Sequence, residues 1–282
     1  MFKTMIIFIF LIANSFAGSA ITGNIKNESK KSFSDKFSLE FVLSAEQTKD
    51  SHSKEVNGLY STMKNSLLYR ATKNDEFRLY ASHVWERYDE NIRNISYWEL
   101  GEVMYRRKNI LNQKDHFLSM NFELKNYWVM DSDIKKQWGF DGAFIPQMIL
   151  KRNFGRKAGA KIKLRRHFFD RNRKTSGTLA KEDRIYLSGF YMFNRHVMFN
   201  TEMKYRHKMY TGDHFSYRKF AYEKANVEIT TLHPSLLFFL GRKTMIEAYV
   251  ETVINDSTDN RRTSQIMKDE QVYGAALYLA AF

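Results

Sequence analysis

HVMFNTEMKYRHKMY, residues 196–210, decides the fold. Val197, Phe199, Met203, Tyr205 and Met209 fall on one parity, and Asn200, Glu202, Lys204, Arg206 and Lys208 on the other. A period of two puts one set on each face of an extended strand. A helix would mix them. The segment is also longer than the five or six residues usual for strands in soluble sheets. Such length suits a tilted strand that crosses a bilayer.

The pattern recurs on both sides of this segment. Phe37, Leu39, Phe41, Leu43 and Ala45 alternate with Ser38, Glu40, Val42, Ser44 and Glu46. In 116–130, Leu118, Met120, Phe122, Leu124, Trp128 and Met130 oppose Ser119, Asn121, Glu123, Lys125 and Tyr127. In 158–169, Ala158, Ala160, Ile162, Leu164 and Phe168 oppose Lys161, Lys163, Arg165 and His167. In 244–255, Ile246, Ala248, Val250 and Ile254 oppose Glu247, Tyr249 and Glu251. Residues 271–282 place Val272, Ala276, Tyr278, Ala280 and Phe282 on one face. Segments 58–72, 76–88, 95–107 and 183–194 have strand composition but apolar residues on both parities.

Pro146 shares a face with Phe144, Met148 and Leu150, and Pro234 with Leu232, Leu236, Phe238 and Leu240. Each run ends in a short Gly-Arg-Lys turn (155–157 and 241–243), which reads as one hairpin solution used twice. Proline lacks an N–H, so each is expected at a strand irregularity. Short turns near 73–75, 152–157, 194–195 and 241–243, with a longer one at 108–115, alternate with polar loops at 47–57, 89–94, 131–138, 170–182, 211–224 and 256–270. Short turns on one side and long loops on the other mark a transmembrane antiparallel up-and-down barrel. The spacing predicts twelve strands, an even number, with both termini on the short-turn side. A soluble sandwich also alternates, but it needs a second sheet on its apolar face and gives no reason for this loop rhythm.

Composition narrows the alternatives. The chain has 282 residues, 43% hydrophobic and 27% charged, which is too apolar for disorder. Zero cysteines exclude disulfides, thiolate metal sites and a Cys nucleophile. The longest apolar run, Met5–Ala13, is too short for a membrane-spanning helix, so a membrane protein of this sequence must be a closed barrel. Lys3, the run 5–13 and the small residues of Asn14–Ala20 form a signal peptide over 1–20, with cleavage after Ala17 or Ala20. Residues 21–35 read as a polar arm, periplasmic or lying in the lumen, and 36–282 as a single barrel domain.

The signal peptide, the alternating strands and the aromatic end Tyr278-Leu279-Ala280-Ala281-Phe282 resemble Gram-negative outer-membrane proteins over residues 36–282. That resemblance implies an outer-membrane location within lipid and lipopolysaccharide, and makes Phe282 the signal read by the barrel-assembly machinery. Twelve strands with basic, aromatic-rich inner faces are similar to the small monomeric porins specific for oligogalacturonate and related acidic sugars. What this implies is passive diffusion of small anionic solutes.

If the apolar parity faces lipid, Lys161, Lys163, Arg165, His167, Lys204, Arg206 and Lys208 point inward, with Lys64, Arg70 and Lys125 beside them. Glu40, Glu46, Glu228, Glu247 and Glu251 are expected to form an opposing acidic wall. Such walls focus the field in a narrow bore, and the cations would hand an anion from one to the next. Inward Tyr60, Tyr127 and Tyr249 are placed to stack on sugars. A twelve-stranded barrel lies between filled eight-stranded barrels and open large ones, so a plugged lumen stays open as an alternative. The loop Arg171-Asn172-Arg173-Lys174 fits lipopolysaccharide phosphates.

Rival functions are a non-conducting structural or receptor barrel and an outer-membrane hydrolase. The sequence has no Gly-x-Ser-x-Gly, and its eight histidines (52, 83, 116, 167, 196, 207, 214 and 233) show no His-Glu-x-x-His. It calls for no catalytic residue, no cofactor and no metal. The charge of +14 comes without a basic tail or helix face, which argues against nucleic acid.

Overall fold

A computed structural model describes residues 36–50, 59–87, 95–171, 179–210, 226–241, 243–257 and 270–281. The signal peptide (1–20), the arm (21–35), Phe282 and most of the expected long loops lie outside these residues. Twelve antiparallel strands follow in chain order: β1 (Phe37–Asp50), β2 (Leu59–Arg70), β3 (Asp75–Arg87), β4 (Ile95–Leu111), β5 (Ser119–Val129), β6 (Phe140–Phe154), β7 (Ala158–Arg171), β8 (Leu179–Met192), β9 (Val197–Tyr210), β10 (Asn226–Phe239), β11 (Thr244–Asp256) and β12 (Glu270–Ala281). Each pairs with its sequence neighbours, and β1 pairs with β12 from Leu39↔Ala281 to Asp50↔Glu270. The sheet is therefore a closed barrel with no free edge.

Closure makes inside and outside the only two environments, and the strand period sorts residues between them. Leu67, Phe77, Leu79, Phe144, Ile162, Ile185, Leu187, Phe199, Leu236 and Ile246 stand exposed on the outer wall. A soluble sheet would hide so large an apolar surface. Polar side chains such as Glu76, Ser82, Glu123, Gln147 and Glu182 are buried against the lumen.

Both prolines lie within unshifted ladders. Pro146 pairs with Leu124 and Pro234 with Thr201, but on the other side the pairs stop at Phe144↔Phe168 and Leu232↔Thr252 and resume at Gln147↔Arg165 and Ser235↔Tyr249. The irregularity is a gap toward the following strand, without a bulge. The register shifts lie away from both prolines, at Ser82/His83 between β3 and β4, Arg107/Leu111 between β4 and β5, Phe140/Gly142 between β6 and β7, Leu179/Lys181 between β8 and β9, and Thr230/Thr231 between β10 and β11.

The turn expected over 108–115 begins later, because β4 runs to Leu111, with Asn109 at φ 53°. The polar loop expected at 131–138 contains a short helix, α1 (Ser132–Trp138). Asp131 caps it by accepting from Asp133 N and Ile134 N at 2.8 and 3.0 Å, and Gly139 closes it at φ 77°.

Candidate functional site: the lumen wall

Register assigns each charge to a face. Lys161↔Ser188↔Glu202, Lys163↔Tyr186↔Lys204 and Arg165↔Arg184↔Arg206 lie side by side on β7, β8 and β9, all on the lumen side. Lys208 stands beside Glu182, and Lys151 of β6 beside Lys161. Lys64, Arg70 and Lys125 share the inner face of β2 and β5, as do Tyr60 and Tyr127. His167 also points inward, but it is only 3% exposed, between the rings of Tyr127 and Phe169 at 6.4 and 5.7 Å. It is packing, with no open face toward the bore.

Two expectations are corrected. Glu228 does not join the acidic wall. It pairs laterally with His207 on the outer face and shares a side-chain hydrogen bond with Tyr205. It has the parity of Leu232 and Leu236, and it lies near the loop end, where a charge on the outer wall costs little. The face of β12 that carries Val272, Ala276, Tyr278 and Ala280 is the lumen face, in register with Glu40, Val42 and Ser44 of β1. Tyr278 Oη donates to Glu247 at 2.6 Å, while Tyr273, Ala275, Leu277 and Leu279 face out. Both parities of β12 are apolar, so only its partners fix its sides.

Lumen charges that the sequence left unassigned complete the wall. One lateral row climbs from Arg70 through Glu76, Arg106, Glu123, Gln147 and Arg165 to Arg184 and Arg206. From Arg70 to Arg165 it is bonded strand to strand. Arg70 Nε lies 3.7 Å from Glu76, Arg106 binds Glu76 at 3.3 Å and Glu123 at 2.5 Å, and Lys108 also reaches Glu76. Gln147 donates to Glu123 and accepts from Arg165, both at 2.6 Å. Lys125 meets Glu102 at 3.2 Å. Across β2 to β5 cations and carboxylates are thus matched and fixed.

The wall of β6 to β9 is different. Glu182, 0% exposed, accepts from Arg184 and Arg206 at 2.6 Å each. Glu202 is shared by Lys161 at 3.9 Å, Lys163 at 4.0 Å and the Ser188 hydroxyl at 2.9 Å. Lys163 Nζ lies 4.2 Å above the Tyr186 ring. These two carboxylates serve a crowd of cations, so this wall carries excess positive charge. Across the seam, His233 sits between Glu247 (3.8 Å) and Glu251 (3.4 Å), Tyr249 donates to Glu46, and Arg78 binds Glu40 at 3.1 Å. Lys204 reaches Glu251 at 3.2 Å, so the basic and acidic walls touch.

A parity count on β8 would have exposed Glu182 and Arg184, because Ile185 and Leu187 occupy the opposite parity. β4 offered no such signal. Its shift leaves Trp98 and Val103 both outward although their parities differ.

No protein-family model matches this sequence, and no curated protein matches it. Solved structures share the fold. The COG4313 outer membrane channel from Pseudomonas putida F1 aligns with TM-score 0.60 and 9% identity, over 92% of this chain and 100% of that one. The NanC porin aligns with TM-score 0.53 and 9% identity over 85% and 98%, and the KdgM porin with 0.50 and 12% over 86% and 99%. This chain has the closed twelve-stranded barrel that these channels and porins resemble.

Proposed function

We propose that this protein is an outer-membrane channel for passive diffusion of small anionic solutes, acidic oligosaccharides among them. The observation that carries the reading is the β6–β9 wall, where Lys151, Lys161, Lys163, Arg165, Arg184, Lys204, Arg206 and Lys208 face Glu182 and Glu202. Excess charge on a low-dielectric wall concentrates counter-ions and admits anions over cations. The exposed apolar outer wall supports a bilayer setting, and the outer-membrane channels of the same fold support the location. Export through a signal peptide, insertion by the barrel-assembly machinery through Phe282 and contact with lipopolysaccharide belong to the same reading.

The test is ion selectivity of the purified protein in a planar bilayer under a salt gradient. Anion preference is expected, and reversing Lys163, Arg165, Lys204 and Arg206 to Glu turns it toward cations. An unchanged reversal potential in a folded variant rejects the assignment. The fixed β2–β5 network favours a second reading, a barrel filled by its own side chains. Absence of conductance from folded protein selects it.

A further inference from the structure

We propose that the short-turn rim from β6 to β11 binds anionic phospholipid, of the phosphatidylglycerol class, in the leaflet on that side of the membrane. The proposal rests on the membrane-barrel reading and is independent of what the bore conducts.

The sequence separates the two rims by charge. The short connections at 73–75, 108–115, 152–157, 194–195 and 241–243 hold 9 Lys and Arg against 2 Asp. The long loops at 47–57, 89–94, 131–138, 170–182, 211–224 and 256–270 hold 15 Lys and Arg against 14 Asp and Glu. A rim of one sign attracts the opposite sign over its whole length, and a mixed rim does not.

One motif repeats in three consecutive turns. Phe154 precedes Gly155-Arg156-Lys157, Phe193 precedes Asn194-Arg195-His196, and Leu240 precedes Gly241-Arg242-Lys243. Phe154, Phe193 and Leu240 share the outward parity of Phe144, Leu187 and Leu236, and they are 55%, 55% and 65% exposed. Each turn thus sets an apolar side chain against lipid tails and places cations just beyond it, at headgroup level. Arg156, Lys157, Arg195 and Lys243 are exposed, and none pairs with a carboxylate among the described residues. Arg107, on the neighbouring part of the rim, is already held by Asp75 at 2.8 Å.

The turns are fixed side by side. Lys157 O accepts from Met192 N at 2.7 Å, and His196 O accepts from Phe239 N at 2.8 Å, so backbone bonds join the bases of neighbouring turns. They lie two strand spacings apart, about 10 Å. In an outer membrane the leaflet on the short-turn side is phospholipid, and lipopolysaccharide faces the long loops. The phosphates within reach of these cations therefore belong to phospholipid. Each Lys or Arg at an anionic lipid surface raises affinity about fivefold.

The test is lipid selectivity by electron spin resonance. The full chain is reconstituted into phosphatidylcholine vesicles that hold a trace of spin-labelled phosphatidylglycerol or spin-labelled phosphatidylcholine, and the motionally restricted fractions are compared. Phosphatidylglycerol should be preferred about twofold, an average in which the three turns supply the excess and most of the lipid shell supplies none. Arg156→Gln, Lys157→Gln, Arg195→Gln and Lys243→Gln together should abolish the preference. Removing four cations from the long-loop side instead, with Arg171→Gln, Arg173→Gln, Lys174→Gln and Lys181→Gln, should leave it intact. In the parent protein the preference should fall between about 0.1 M and about 1 M salt, as screening requires. No preference in the folded parent, equal loss in both variants, or a preference indifferent to salt overturns the proposal. Heat-modifiable mobility confirms folding, and a chain that does not enter the vesicles sinks the membrane-barrel reading and this proposal with it.

Discussion

The ring of Tyr249 on β11 covers Gly274 on β12, where a Cβ would overlap it. Its hydroxyl passes across β12 and donates to Glu46 on β1. Glycine here is a matter of space: an aromatic ring covers the bare backbone and ties together the strands flanking the closing one.

Gly274→Ala should therefore push Tyr249 away and break its bond to Glu46. Overpacking of this kind costs about 1–3 kcal/mol. Urea unfolding of the folded barrel should show that loss, whereas Gly241→Ala, in a turn with open space around it, should change stability by less than about 0.5 kcal/mol.

Glu182→Gln removes the carboxylate that Arg184 and Arg206 share. A wholly buried pair broken this way costs about 3–5 kcal/mol, and the loss here should fall below that, because the Arg184 and Arg206 side chains are 22% and 27% exposed to the lumen. The same change adds net positive charge to the β6–β9 wall. Lower unfolding free energy and a reversal potential shifted further toward anions are expected together.

Leu187 and Ser188 are neighbours on opposite faces of β8. Leu187 is 40% exposed outside, and Ser188 bonds Glu202 inside. An arginine in the middle of a lipid-facing wall costs about 2–4 kcal/mol. Leu187→Arg should fold poorly or unfold at lower urea, while Ser188→Arg finds Glu202 and should stay within about 1 kcal/mol of the parent.

Selectivity that arises from fixed wall charges is screened by salt. The Debye length falls from about 10 Å at 0.1 M to about 3 Å at 1 M. Anion preference from reversal potentials should accordingly weaken across that range at constant concentration ratio. A preference independent of ionic strength would point to a steric filter.

Most of the fold was legible because alternation is a property of one strand. Val197 to Met209 reveal two faces without reference to any neighbour, and so do Ala158 to Phe168. The same logic placed Lys161, Lys163, Arg165, Lys204, Arg206 and Lys208 on one side of the sheet. It failed where both parities are apolar, as in β12. On β10, the charge of Glu228 suggested an inward position that its parity with Leu232 denies. On β4 the shift near Ser82/His83 exchanges the faces partway along, and no local pattern survives that exchange.

By itself the sequence determined strand number, strand length, the two-sided character of the wall and the identity of most of its cations, since each follows from short-range periodicity and loop spacing. Tertiary structure alone decided which charges neutralise one another. Arg106 meets Glu76 and Glu123, and Tyr249 finds Glu46 some two hundred residues away. Those meetings depend on register between strands and on closure of β1 against β12, and closure joins the first and last strands in a way no local pattern encodes.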